Sequence, residues 1–192
     1  MSGLPKELLA AAQALAQAES ASAALAGLLG ALTRHLPGSA ATVLVARPRG
    51  PLEIAAQVGL VPGAAGLCLW PDEHPRLHRA LAAAAPLRFC DPREPDPFDG
   101  LLAVGTGAPR PGDAARVHAC LAAPLCGPEG PFGLLTLDAL DPRGLDRLEL
   151  DQAALLAALC AATVAAERRA LALRRAVDDG GAPSMARSEE HT

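Results

Sequence analysis

The sequence predicts an α+β fold, an antiparallel sheet flanked by N- and C-terminal helices. Three observations carry that reading. Apolar residues recur at helical spacing at both ends of the chain. The middle holds β-rich segments joined in pairs by Pro/Gly turns, which reads as hairpins rather than βαβ units. A chain of 192 residues also suits one domain with flanking helices better than two independent domains.

Over residues 5–35, Leu8, Leu9, Ala12, Leu15, Ala16, Leu25, Leu28, Leu29 and Leu32 mark helical faces, with a break at Ser20-Ala-Ser22. Pro37-Gly38 stops this region near His35. ATVLVA (41–46) and LEIAAQVGL (52–60) flank Pro48-Arg-Gly50-Pro51 as a first hairpin, and 61–73 reads as irregular. A short helix opens at His74-Pro75-Arg76, with Pro suited to its first turn, and LRFC (87–90) reads as a strand. Residues 91–116 form a Pro/Gly/Asp-rich loop. VHACLAAPLC (117–126) and FGLLTLDAL (132–140) then make a second hairpin around Gly127-Pro-Glu-Gly130. Asp146-x-x-Glu149 resembles a capping box for a last helix running to about residue 177, with arginines near its C-terminal end. The helices are expected on one face of the sheet. The organisation is thus a helical region (1–37), a core (38–145), a C-terminal helix or linker (146–178) and a disordered tail (179–192).

Composition narrows the function classes. The chain is 51% apolar and only 2% aromatic, so its core is aliphatic and poor in rings for stacking a nucleotide. A net charge of −4 argues against direct nucleic-acid binding, which needs a basic face. The only lysine, Lys6, follows Pro5, so no Walker-type phosphate loop is present. Five cysteines at irregular spacing, with no Cys-x-x-Cys, read as reduced thiols of a cytoplasmic protein. The N-terminal segment, interrupted by Glu7 and Glu19, is no signal peptide, and the longest apolar run (153–166) is too short to span a bilayer, so no membrane partner is expected.

Few side chains are placed for chemistry. Asp96 and Asp99 lie three residues apart in the Pro/Gly loop, and on spacing alone they read as a solvated, capped turn. Cys120 sits in an apolar strand, where a buried, inert thiol is the ordinary reading. Asp138 follows Gly-Leu-Leu-Thr-Leu and, if buried unpaired, would carry a penalty of several kcal/mol, roughly 2–7 even for a neutral polar group. If the second hairpin pairs Leu125 with Gly133, Cys120 lies directly opposite Asp138, at the ~4.5–5.5 Å Cβ separation of two ligands to one metal. A slip of one residue would separate them onto opposite faces. His118 would share the face of Cys120. Among the rest, His35, His74, His78 and His191 read as helix-end, surface or tail residues, Trp70 as an anchor of 61–73, and Cys68, Cys90, Cys126 and Cys160 as packing or partly exposed thiols.

His74-Pro75-Arg76-Leu77, Arg88-Phe89, Pro95-Asp96-Pro97-Phe98-Asp99-Gly100-Leu101, Val117-His118-Ala119-Cys120 and Leu135-Thr136-Leu137-Asp138 occur in this order. Jointly they resemble the N-terminal GAF domain of NorR-type nitric-oxide-responsive, sigma-54-dependent transcription activators, over roughly residues 5–175. The resemblance implies a sensor, not an enzyme, with a mononuclear non-haem ferrous iron, Fe(II), as its cofactor. The implied metal ligands are Asp96, Asp99, Cys120 and Asp138. The family's arginine beside the iron falls on Arg76; a guanidinium stays protonated and has no free lone pair, so pairing with a ligating carboxylate is expected of it. His118 is expected beside the ligands. Oxygen and thiolate donors suit iron(II), and open positions would admit a diatomic ligand.

The implied partners are nitric oxide, a AAA+ ATPase domain of the same regulator, which this sequence does not contain, and a second copy of the chain through the terminal helices. Relative to the family, the segment 101–116 is longer, and Arg79 is the nearest basic residue to the position of Ala82. Two other readings stand beside this one. A GAF-type free methionine sulfoxide reductase would need Cys120 with Cys90 or Cys126 as nucleophile and resolving thiol. A metal-free dimerisation module would use only the terminal helices.

Overall fold

The computed structural model describes residues 6–47, 50–64, 66–91, 93–103 and 116–180. Helix α1 (Lys6–Ala14) runs into a single 3-10 turn and stops before α2 (Ala21–His35). The break falls where Ser20 adopts extended backbone and its hydroxyl accepts the Ala23 N–H at 3.2 Å, an N-cap that starts a new helix. The strands are β1 (Ser39–Ala46), β2 (Leu52–Val58), β3 (Cys68–Leu69), β4 (Leu87–Phe89), β5 (Ala119–Gly127) and β6 (Gly130–Ala139). Helix α3 (Pro75–Ala83) lies between β3 and β4, and α4 (Leu150–Gly180) follows β6. They form one six-stranded antiparallel sheet in the order β3-β2-β1-β6-β5-β4.

The β5–β6 hairpin closes on Gly127 opposite Gly130, whose φ of +111° favours a residue without Cβ. Gly133 is required for another reason: a Cβ there would collide with the Leu44 carbonyl oxygen of β1. These local constraints hold β6 between β1 and β5.

Three expectations are corrected. The irregular segment 61–73 contains β3, a two-residue edge strand paired with Leu52 and Glu53, too short to show periodicity. The last helix starts at Leu150, not at Asp146. Leu145 and Leu148 are fully buried and their carbonyls accept Arg88 guanidinium N–H groups at 3.0 and 2.7 Å, which holds this stretch as turns. The reciprocal cap is made one step later, where the Glu149 N–H donates to Gln152 Oε1 at 3.1 Å.

Third, helices cover both faces of the sheet, not one. Residues 39–44 of β1, 119–125 of β5 and 133–139 of β6 are buried without alternation, so each face needs a cover. On one face, Leu28, Leu29 and Leu32 of α2 and Leu156 and Cys160 of α4 pack on Ala41, Val43, Leu121, Leu135 and Leu137. On the other, Leu77 and Ala80 of α3 and Phe98 of the following loop pack on Ala40, Leu44, Cys120, Ala122 and Leu134.

By length and composition α4 could cross a membrane. Its first half, however, buries Ala153, Leu156, Ala157, Cys160, Ala161 and Val164 against the sheet, as a core helix does. From Ala166 to Asp178 it stands exposed. Most of the expected tail, from 181 on, lies outside the described residues, as do 104–115 of the long loop.

Candidate metal centre on the α3 face of the sheet

The register of the second hairpin pairs Leu125 with Gly133 and therefore Cys120 with Asp138. Phe89 of β4 pairs with Cys120 and Ala40 of β1 with Asp138, so Phe89, Cys120, Asp138 and Ala40 form one row across the sheet. The next row on the same face is Leu87, Ala122, Thr136 and Thr42. Alanines at 40 and 122 leave room beside the polar side chains.

Above this face, α3 and the loop after β4 bring in Arg76 and Asp96. Arg76 is wholly buried, and both terminal nitrogens of its guanidinium are hydrogen-bonded, while its Nε has no hydrogen-bond partner among the described residues. It donates to Asp96 Oδ2 at 2.9 Å and to the backbone carbonyls of Asp91 (2.6 Å) and Glu94 (2.9 Å), with Glu94 Oε2 3.6 Å from its Nε. Asp96 Oδ1 accepts the Phe98 N–H at 2.9 Å, the side-chain turn that Asp makes two residues ahead. Each Asp96 oxygen thus receives one donor and retains a lone pair.

One carboxylate oxygen of Asp96, Cys120 Sγ and one oxygen of Asp138 lie within 4.8 Å of one another. All three residues are buried. Asp138 is fully enclosed, and neither of its oxygens has a hydrogen-bond partner among the described residues. Burial, and then the charge of Asp96, pushes its pKa well above the carboxylate range. Burial and then Asp138 raise the Cys120 thiol well above its ordinary value. Asp96 is raised too, by burial, against the Phe98 N–H and Arg76. Three acidic groups therefore share a buried site with one cation among the described residues, Arg76, and a divalent ion is the ordinary way to compensate such a set.

Asp99 is placed differently. Its Oδ1 accepts the Val117 N–H at 2.7 Å and its Oδ2 the Asp96 N–H at 3.2 Å. It clamps the loop to the entry of β5 and is not among the three converging ligand atoms. His118, half-buried just before β5, donates its backbone N–H to the Ala139 carbonyl at 3.0 Å and is also outside that set. Three residues beyond the sequence reading belong here. Glu94 links Arg76 to Arg79, which it meets at 2.6 Å, and Arg79 stacks on the Phe89 ring at 4.9 Å. Thr136 and Thr42 are buried, and their hydroxyls have no hydrogen-bond partner among the described residues. Strand parity pointed to Thr136, two residues from Asp138, whereas nothing in the sequence distinguished Glu94.

The thiols are dispersed. Cys126 is exposed and six residues along β5 from Cys120, about 20 Å at ~3.3 Å per residue. Cys90 is exposed at the end of β4, while Cys120 is buried.

Comparison with solved structures finds the same architecture in two GAF domains of phosphoenolpyruvate-protein phosphotransferases. The one from Coxiella burnetii matches with a TM-score of 0.67 and 22% identity, covering 87% of this chain and 95% of that one. The one from Acinetobacter matches with a TM-score of 0.65 and 14% identity, covering 91% and 99%. The chain has the GAF fold. No family model matches the sequence, but curated relatives do. The anaerobic nitric oxide reductase transcription regulator NorR of Serratia proteamaculans is 38% identical over 109 residues, 52% of this chain and 20% of that one. NorR of Aeromonas hydrophila is 31% identical over 151 residues, 78% of this chain and 28% of that one. The regulatory protein LuxO of Vibrio cholerae is 37% identical over 123 residues, 64% and 22%. The chain thus spans only between 20% and 28% of these relatives, and it resembles the N-terminal GAF domain of NorR-type regulators. All three are named as regulators. A free methionine-R-sulfoxide reductase of Thermoplasma acidophilum shares the fold more distantly, at a TM-score of 0.54 and 14% identity.

Proposed function

We propose that this GAF domain is the sensory part of a cytoplasmic, sigma-54-dependent transcription regulator, and that it binds a mononuclear ferrous iron and detects nitric oxide. One observation carries the reading: a fully buried Asp138 carboxylate with both oxygens unpartnered, converging with Cys120 and Asp96. The donor set fits iron(II), with carboxylate oxygens and one thiolate and with fewer than six protein donors. A ferrous ion held there would supply open coordination positions for a small diatomic molecule.

The residues of the chain do the rest. Asp138 and Cys120 present donors from the rigid centre of the sheet, and Asp96 presents one from the loop. Arg76 neutralises Asp96 and fixes its second oxygen, while Asp99 clamps the loop. Phe98, fully buried, excludes water. Asp96 reaches the surface of α3 through Arg76, Glu94 and Arg79, so a shift of Asp96 would be passed outward to a neighbouring AAA+ domain. The exposed Leu155, Leu171, Leu173 and Val177 of α4 support pairing of two copies through the terminal helices. The names of the NorR relatives support nitric oxide as the signal.

The test is anaerobic reconstitution with Fe²⁺ followed by nitric oxide, read by metal analysis and electron paramagnetic resonance. One iron per chain and a high-spin signal with nitric oxide are expected, both lost in Cys120→Ala and Asp138→Asn. Folded anaerobic protein that takes up no iron would refute the reading. The alternative of a thiol reductase is disfavoured by the separation of Cys120 from Cys126 and by the burial of Cys120.

A further inference from the structure

The row of the sheet next to Cys120 and Asp138 carries a feature that the ligand set does not use. Thr42 of β1 and Thr136 of β6 are direct cross-strand partners on the α3 face, 0% and 1% exposed. Both hydroxyls lack a hydrogen-bond partner among the described residues, as do both oxygens of Asp138. Four polar atoms are therefore enclosed together in the middle of a sheet, where the strand backbone is committed to its own ladders.

Such an arrangement is costly. Each unsatisfied buried polar group gives up its hydration without a replacement hydrogen bond. Valine has the shape of threonine, favours strands and carries no such cost. The fold alone would be better served by Val at both positions. The hydroxyl needs an acceptor, and residues 136 and 138 share a face at adjacent alternate positions of one strand.

We infer that Thr136, backed by Thr42, is a positioning residue for the metal centre: its hydroxyl donates to the Asp138 carboxylate and selects which oxygen faces the ion. The inference rests on the reading of Asp138 as a ligand. In the loaded site the ion would take one carboxylate oxygen and Thr136 the other. The Thr42 hydroxyl would then donate to Thr136 Oγ1, which has lone pairs free once its own proton is given to Asp138. One ion and two hydroxyl hydrogen bonds would thus engage all four atoms. Partners that orient a metal ligand typically contribute 10–100-fold in affinity.

The experiment uses the full chain, anaerobic, titrated with Fe²⁺ for affinity and with Co²⁺ for its ligand-field absorption. Thr136→Val is expected to unfold, metal-free, at a temperature no lower than wild type. It should bind one Fe²⁺ about 10-fold more weakly and shift the Co²⁺ bands. Thr136→Ser should restore both, and Thr42→Val should lie between. Should Thr136→Val not fold, Thr136→Ala is read in the same way. Wild-type affinity and wild-type Co²⁺ bands in the hydroxyl-free variant would overturn the inference while leaving the metal site standing. Wild-type chain that binds neither ion would overturn both together.

Discussion

On the α2/α4 face of the sheet the buried side chains are Leu, Ala, Val and one Cys, with Ser39 beside them and its hydroxyl donating to the Leu36 carbonyl at 2.7 Å, whereas the α3 face buries Arg76, Asp96, Thr42, Thr136 and Asp138 among its aliphatics. The same strands supply both faces, since successive residues of β5 and β6 point to opposite sides. Leu137 and Asp138 are neighbours in sequence and belong to these two environments. The aliphatic face gains from every residue it encloses, about 25 cal/mol per Å² of apolar surface removed from water. The other face gives up part of that gain by enclosing acidic groups and hydroxyls without partners, which is reasonable only where a ligand completes them. One face holds the fold and the other is built to be completed.

The comparison can be broken most strongly on the aliphatic side. Leu28→Ala removes a fully buried side chain from α2 and should cost about 2–5 kcal/mol in urea unfolding. Iron uptake per folded molecule should stay at the wild-type value. A loss of iron binding in protein shown to be folded would mean that the two faces are not separable.

Asp138→Asn tests the other side, with an effect of opposite sign in the metal-free protein. The folded pKa of Asp138 is raised well above that of an unfolded aspartate, near 3.9. Its contribution to metal-free stability is therefore fully present below that unfolded value and is lost as pH rises through the folded one. Asparagine cannot ionise, so the metal-free variant should gain stability over wild type as pH rises from about 4 towards 8. Urea midpoints of both proteins at several pH values measure this difference directly. Fe²⁺ at a hundred times its Kd should then stabilise wild type by about 2.7 kcal/mol and the variant not at all.

The smallest effect sharpens the junction between the faces. Arg88 of β4 reaches the carbonyls of Leu145 and Leu148, tying the edge of the α3 face to the turns that launch α4. Arg88→Ala should cost about 1 kcal/mol, reduced from the usual value for charged hydrogen bonds by its partial exposure. Hydrogen exchange should rise first at residues 145–150. Equal protection there in both proteins would show that Leu145 and Leu148 hold the turn by burial alone.

How much of this was legible varies with the range of the interaction involved. The hairpin around Gly127-Pro-Glu-Gly130 could be read, but the pairing of Cys120 with Asp138 could be read only conditionally. A bulge between Leu125 and Cys126 shifts the register that the turn alone would set, and that unshifted register puts Cys120 opposite Leu137. The break at Ser20 was legible because a cap acts on the next turn only. Asp146 misled because the helix start was decided by Arg88, fifty-seven residues from Leu145. β3 was hidden because two residues have no period, and the helices appeared to belong to one face because the pattern of a strand buried on both sides says only that covers exist.

By itself the sequence determined the α+β class, the two hairpins and the terminal helices, and it placed a thiol and a carboxylate on paired strands with their register left open. These follow from periodicity and turn chemistry, which act over a few residues. Only the tertiary structure decided that α3 lies opposite the other helices, that Arg76 meets Asp96 across twenty residues, and that Asp99 serves the backbone. It also decided that Thr42 and Thr136 are enclosed beside Asp138 without partners. Those outcomes depend on which distant surfaces are buried against each other, and burial is what turns an ordinary carboxylate into one that needs an ion.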